Sequence, residues 1–124
     1  MLTMKLYVDD IRKCPEGWQL ARTNDRAIYF LHNCNVEEIS IDHDICFYDR
    51  PKRILEPSDE TFRPVAYYIA VMPAERRPKK ITLHTANPWG AKELKAILNQ
   101  VGIECEVSLS APIYMDEVLG SNGN

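Results

Sequence analysis

The chain has no apolar run approaching the ~18 residues that a membrane-spanning helix requires, so a helical span is excluded. It has no C-x-x-C pair and no Cys/His cluster with zinc spacing, although Cys14, Cys34, Cys46 and Cys105 are present. It has no excess of basic charge. Fifteen basic and 18 acidic residues give a net charge of −3, a poor match to a sequence-independent nucleic-acid coat. It lacks internal repeats and any linker that would divide it. Its opening, Met1-Leu2-Thr3-Met4-Lys5, leads into a short apolar run closed by Asp9-Asp10, unlike a secretory signal. The expectation is a cytoplasmic protein with reduced thiols and no membrane partner.

What is present is ordinary globular composition. The chain has 124 residues, 45% hydrophobic and 27% charged, which suits one domain. Strand-like and helix-like segments alternate along it. Lys5–Val8, Trp18–Arg22, Glu38–Ile41, Ile81–Leu83 and Ile103–Leu109 read as strands. Thr23-Asn24-Asp25 supplies the cap of a helix carrying Ala27, Ile28, Leu31 and Cys34 on one face. Phe62, Val65, Ala66, Ile69 and Met72 mark a second stripe, with Pro64 in its first turn and Pro73 ending it. Asn87-Pro88 is an N-cap followed by proline at the first helical position, Ala91, Leu94, Leu98 and Val101 line the face, and Gly102 stops the helix. Residues 43–60, with Pro51, Pro57 and mixed charge, read as one long loop, whose length alone suggests function. Residues 1–115 form the domain, and residues 116–124 are expected to be a disordered tail.

Strands joined by helices imply right-handed crossovers, a mostly parallel sheet and helices on both faces. In such sheets ligands bind beyond the carboxyl ends of the strands. Asp9-Asp10-Ile11-Arg12 follows the first strand, Asp42-His43-Asp44 the third, His84-Thr85-Ala86-Asn87 the fourth and Ser110-Ala111-Pro112 the last. Each residue alone has a plain structural explanation. An Asp after a strand is often a turn or cap, and a lone His is often only a satisfied hydrogen-bonder. Together they place carboxylates, imidazoles and hydroxyls on one edge.

Crowded carboxylates need either a raised pKa or a cation among them. Oxygen donors suit Mg²⁺ or Mn²⁺. Asp9, Asp10 and Asp42 are the first metal candidates; Asp44 either joins them or orients His43. His84 is a candidate general acid or base. Thr85, Asn87 and the first amides of the following helix are expected to hold phosphate oxygens, with Arg12 and Lys92 assisting. Arg50, Lys52 and Arg53 fall on the same edge, whereas Arg76, Arg77, Lys79 and Lys80 fall on the far one and read as solvated surface. Tyr67, Tyr68, Trp89 and Tyr114 read either as buried aromatics or as surfaces that stack a base.

The acidic pair, the third-strand Asp and Thr85-Ala86 resemble response-regulator receiver domains. In that family the pair helps bind Mg²⁺, the third Asp is phosphorylated and the Thr contacts the phosphoryl group. The receiver Lys-Pro is absent, because Ala111 precedes Pro112. The fuller pattern resembles a divergent offshoot, the cyclic-phosphate-processing receiver-like domain. The motifs that carry it are Asp9-Asp10-Ile11-Arg12, Arg22-Thr23, Ile41-Asp42-His43-Asp44 and His84-Thr85-Ala86-Asn87-Pro88, with Gly90-Ala91 after them. One motif glycine is replaced by Arg63-Pro64.

This resemblance implies a single three-layer, flavodoxin-like α/β domain with a five-stranded, mostly parallel sheet and a first helix reduced to Ile11–Gly17. It implies a metal-dependent phosphoesterase acting on a cyclic phosphate, whether an RNA end or a cyclic nucleotide, in the setting of RNA repair or nucleotide signalling. His84, Asp42 and His43 would be its catalytic residues, with water or Asp42 as nucleophile. Two other readings stay open. The same pocket without turnover is a phosphate or cyclic-nucleotide binding module. A degenerate receiver would instead signal to a protein partner through an acyl-phosphate on Asp42.

Overall fold

The computed structural model describes residues 3–49 and 54–110. In chain order they form β1 (Thr3–Val8), β2 (Gln19–Ala21), α1 (Asn24–Asn33), β3 (Asn35–Ile41), β4 (Asp44–Asp49), β5 (Ile54–Thr61), α2 (Arg63–Val71), a 3₁₀ turn (Ala74–Arg76), β6 (Lys80–Thr85), α3 (Pro88–Asn99) and β7 (Glu106–Leu109). Five strands make one parallel sheet in the order β2-β1-β3-β6-β7. This is the α/β flavodoxin-like fold of receivers.

The helices begin where local chemistry starts them. The Thr23 side chain accepts from the Arg26 amide, and Asn87 accepts from the amides of Trp89 and Gly90. Pro64 and Pro88 sit in first turns, where a missing N–H costs nothing. The α2 stripe is buried as expected: Phe62, Val65, Ala66, Ile69 and Met72 all enter the core. In α1 the inward residue is Phe30 rather than Ile28, and beyond α3 Val101 is 43% exposed rather than buried. Leu6, Val8, Ile39, Ile41, Ile81 and Leu83 present the matching sheet face. Each fully buried aliphatic side chain contributes about 1.5–3 kcal/mol of transfer free energy.

Crossover handedness decides which face is covered. The steps β2 to β3, β3 to β6 and β6 to β7 all run the same way along the sheet, so right-handed connections put α1, α2 and α3 on one side. Consistent with this, α1 packs on α2 and α2 on α3. Only the step from β1 to β2 runs the other way, and residues 9–18 contain no helix. The expected reduction of the first helix is therefore a complete loss. Among the described residues the second face carries no helical layer. It is lined by polar and aromatic side chains, including Tyr7, which meets Trp18 edge-on at 6.3 Å.

The expected loop over residues 43–60 is instead an antiparallel hairpin, β4–β5, outside the main sheet. Pro57 is accommodated because a two-stranded ribbon has only edge positions. The far-side arginines are not merely solvated. Arg76 donates to the carbonyls of Leu31, His32 and Cys34 at the end of α1, and Arg77 to those of Ala70 and Met72 at the end of α2. Both satisfy orphan helix carbonyls and oppose the negative dipole end. The four cysteines are free thiols. No helix among the described residues is long and apolar enough to cross a membrane. The expected tail, Ala111-Pro112, Tyr114 and the basic residues Arg50, Lys52 and Arg53 lie outside the described residues.

Candidate metal and phosphate site

The site grows from three strand ends held in register. Val8 pairs with Ile41, and the Asp42 amide donates to the Val8 carbonyl at 2.9 Å. Asp9 and Asp42 therefore leave the sheet side by side. Ile41 pairs with Leu83, which brings His84 and Thr85 to the same edge.

Asp9 is fully buried and is the hub. Its Oδ1 accepts from the amides of Ile11 at 2.9 Å and Arg12 at 2.8 Å. Its Oδ2 lies 2.9 Å from His84 Nε2 and 3.6 Å from Arg12 Nε. Burial pushes the Asp9 carboxyl up, but the bonds from His84 and the two amides outweigh it and hold it below the usual range. An ionised carboxylate accepts about four hydrogen bonds. Asp9 has little more than one acceptor position left.

Asp10 and Asp42 behave in the opposite way. Burial raises Asp42 to about 7, the Asp9 charge adds to this, and the His43 amide and Thr85 hydroxyl counter it only partly. Burial likewise raises Asp10 to about 6, with the Cys46 amide at 2.7 Å opposing and the Asp9 charge reinforcing. One carboxylate oxygen from each of Asp9, Asp10 and Asp42 lies within 4.8 Å of the other two. Without a counter-charge the cluster displaces the ionisation of two of its members toward neutral pH. All its donors are hard oxygens. Both properties fit a small divalent cation such as Mg²⁺ or Mn²⁺.

Asp44 is not in that cluster. Its Oδ1 is 2.8 Å from His43 Nδ1, and the Asn87 amide nitrogen approaches both of its oxygens at 3.2 and 3.4 Å. Of the two roles expected for Asp44, the geometry displays the one beside His43. The other imidazole nitrogen of His43, Nε2, is 3.0 Å from Glu93 on α3. Gly90 makes this possible, because a Cβ there would fall 2.4 Å from His43 Cγ. Arg63 completes the network at 3.3 Å from Glu93.

His84 also has both ring nitrogens engaged. Nε2 meets Asp9, and Nδ1 is 2.6 Å from Ser40 Oγ. Its ring stacks on Tyr7 with centroids 4.4 Å apart. It stands behind Asp9, away from solvent. Thr85 is buried, bonds Asp42 and accepts from the Asn87 amide at 3.1 Å. Asn87 spends its oxygen on the α3 cap. Lys92 lies over the Trp89 ring at 4.8 Å.

Sequence reasoning missed Ser40, Glu93 and the Cys46 amide. Glu93 follows Gly90 by three residues and shares its helix face, a signal that was available. Ser40 inside a strand and a backbone amide carry no such mark.

A family model described as the cyclic-phosphate processing receiver domain matches residues 4–100. The chain belongs to that family. The match takes in this receiver's acidic pair, Asp42, His84 and all of α3. Searches of curated proteins and of solved structures gave no match to it.

Proposed function

We propose that this receiver-like domain is a metal-dependent phosphoesterase that opens a cyclic phosphate. The observation that carries the reading is the triad of buried Asp9 and Asp42 with half-buried Asp10, two of its members displaced toward neutral pKa. These three residues would hold Mg²⁺ or Mn²⁺. A bound divalent cation supplies Lewis-acid polarisation of a phosphoryl group.

The chain's own residues do the rest. The amides of Ile11 and Arg12, together with His84, keep Asp9 ionised and aimed. Thr85 fixes the rotamer of Asp42. The Arg12 guanidinium adds positive charge beside Asp9. Of the expected proton carriers, His84 acts through Asp9 and is a positioning residue. The pair His43–Asp44 serves the leaving oxygen, with Asp44 at its outer end because 44% of that side chain is exposed.

A second reading is favoured by one observation. Both imidazoles have both nitrogens occupied, which suits a site that binds a cyclic phosphate without turning it over. One panel separates the two. The protein is incubated with Mg²⁺ or Mn²⁺ and 2′,3′-cyclic nucleotides, 3′,5′-cyclic nucleotides, cyclic dinucleotides or an RNA ending in a cyclic phosphate. The esterase reading expects cation-dependent turnover of one class, abolished in Asp42→Asn and Asp44→Asn. Tight cation-dependent binding without turnover overturns it in favour of the binding module.

A further inference from the structure

Two adjoining grooves run between the start of α1, the start of α2 and the foot of the β4–β5 hairpin. They measure about 430 and 390 Å³, and Asn24, Glu60 and Pro64 line both. Two residues on the wall of the inner groove connect it to the loops of the acidic site. Arg22, on its wall, donates to the Arg12 carbonyl at 2.7 Å and approaches the Asp9 carbonyl at 3.4 Å. Ile45, also on its wall, precedes the residue whose amide reaches Asp10. At the outer end stands Tyr67, which is 56% exposed.

The lining is mixed in a specific way. Ile28, Ile45 and Pro64 give the inner groove apolar surface, while acceptors sit at its sides. The Asn24 Nδ2 donates to the Thr61 carbonyl at 3.0 Å, and its Oδ1 is a buried acceptor that no hydrogen bond satisfies. The exposed Asp25 carboxylate adds a further acceptor. A concave apolar site with a few polar groups is the usual form of a small-molecule pocket. The ligand that matches it is flat, apolar on its faces and rich in N–H donors on its edge. Nucleobases are bound in this manner, stacked on aromatic rings and hydrogen-bonded along an edge.

We infer that this groove is a nucleoside subsite, which takes an amino-bearing base of the ligand whose cyclic phosphate lies at the acidic cluster. The inference rests on the proposed function and names its substrate class: nucleotides or RNA ends, not base-free cyclic phosphates. It also gives the Arg22-Thr23 motif a role. Arg22 joins the phosphate end to the groove, and Thr23 starts the helix whose first residue, Asn24, lines it.

The test has two arms. In the first, amide NMR shifts are followed as adenosine, which has no phosphate, is added. Shifts confined to residues 22–28 and 60–67 are expected, and their absence overturns the subsite. In the second, Mg²⁺-dependent binding of adenosine 2′,3′-cyclic phosphate is compared with that of the cyclic phosphate of 1,2-propanediol. The nucleotide is expected to bind roughly tenfold more tightly, an advantage lost in Tyr67→Ala and Asn24→Leu. Equal binding of the two ligands contradicts the inference. Tyr67 is exposed, so its variant keeps folding out of the comparison. Groove shifts with adenosine but no cation-dependent handling of any cyclic phosphate would leave the subsite standing and remove the proposed function. The converse result would remove only the subsite.

Discussion

His84 Nε2 and Asp9 Oδ2 are 2.9 Å apart, and neither side chain is more than 8% exposed. The bond ties the end of β6 to the loop after β1 across the intervening β3. With Asp9 ionised, Nε2 is the donor, and Ser40 sets the other ring nitrogen at 2.6 Å. The imidazole thus fixes both the charge and the aim of the cluster's most readily ionised carboxylate.

Removing His84 therefore acts on the cation. His84→Ala is expected to weaken Mn²⁺ binding by about 10–100-fold, the usual effect of losing an outer partner of a ligand. Ser40→Ala is expected to act in the same direction and less. Titration calorimetry reads both. An unchanged Mn²⁺ affinity in His84→Ala would detach the histidine from the site.

The pH dependence of stability follows from the two raised carboxyls. Asp42 near 7 and Asp10 near 6 bind protons in the folded state that the unfolded chain has already released. Stability of the cation-free protein therefore falls as pH rises from about 4 to above 7. Asp9 acts oppositely: its contribution is present above its unfolded pKa and is lost only as pH falls through its lowered folded value. In EDTA the Tm is expected to be higher at pH 5.5 than at pH 8. Saturating Mg²⁺ should raise the pH 8 value most, since the cation replaces the missing protons. A Tm in EDTA that rises between these pH values would count against the crowded cluster.

Asp42→Asn separates stability from function. It removes a buried like charge while Oδ1 still accepts from the His43 amide. Cation-free stability at pH 8 is expected to rise by on the order of 1 kcal/mol, while cation binding falls. Thermal melts with and without Mg²⁺ measure both. A loss of stability with cation affinity unchanged would be the contrary result.

Gly90 is set by a close approach. An alanine Cβ would meet the His43 ring at 2.4 Å, so Gly90→Ala is expected to cost about 1–3 kcal/mol and to pull His43 off Glu93. Gly102→Ala has open space but a φ of +78°, and should cost about 1 kcal/mol through backbone strain alone. Tm and the His43 ring NMR signals distinguish the two. Equal Tm losses with the His43 signals unmoved in both would contradict the packing argument.

Much of this was legible in the residues. Strand ends carrying Asp9, Asp10, Asp42, His84 and Thr85 pointed to one edge because Asp and His are poor strand formers that the sequence nevertheless put there. Helix starts were legible because Thr23 and Asn87 are strong caps. The hairpin was not. Residues 44–61 contain no glycine, and Pro57 argues against a strand except in a ribbon with two free edges. The lack of a second helical layer among the described residues was only half visible. The short first connection showed in the spacing, but its consequence required the strand order. The occupation of both histidines was illegible, because Ser40 and Glu93 reach them from a strand interior and a neighbouring helix.

Phosphorus NMR of a 2′,3′-cyclic nucleotide mixed with the protein tests the central claim most directly. With Mg²⁺ present, the cyclic-phosphate resonance is expected to give way to a monoester resonance. EDTA, or the Asp42→Asn substitution, should leave it intact. A cyclic resonance that persists at saturating Mg²⁺ for this ligand and for every other class of the panel, or one that disappears equally fast in EDTA, would contradict the account.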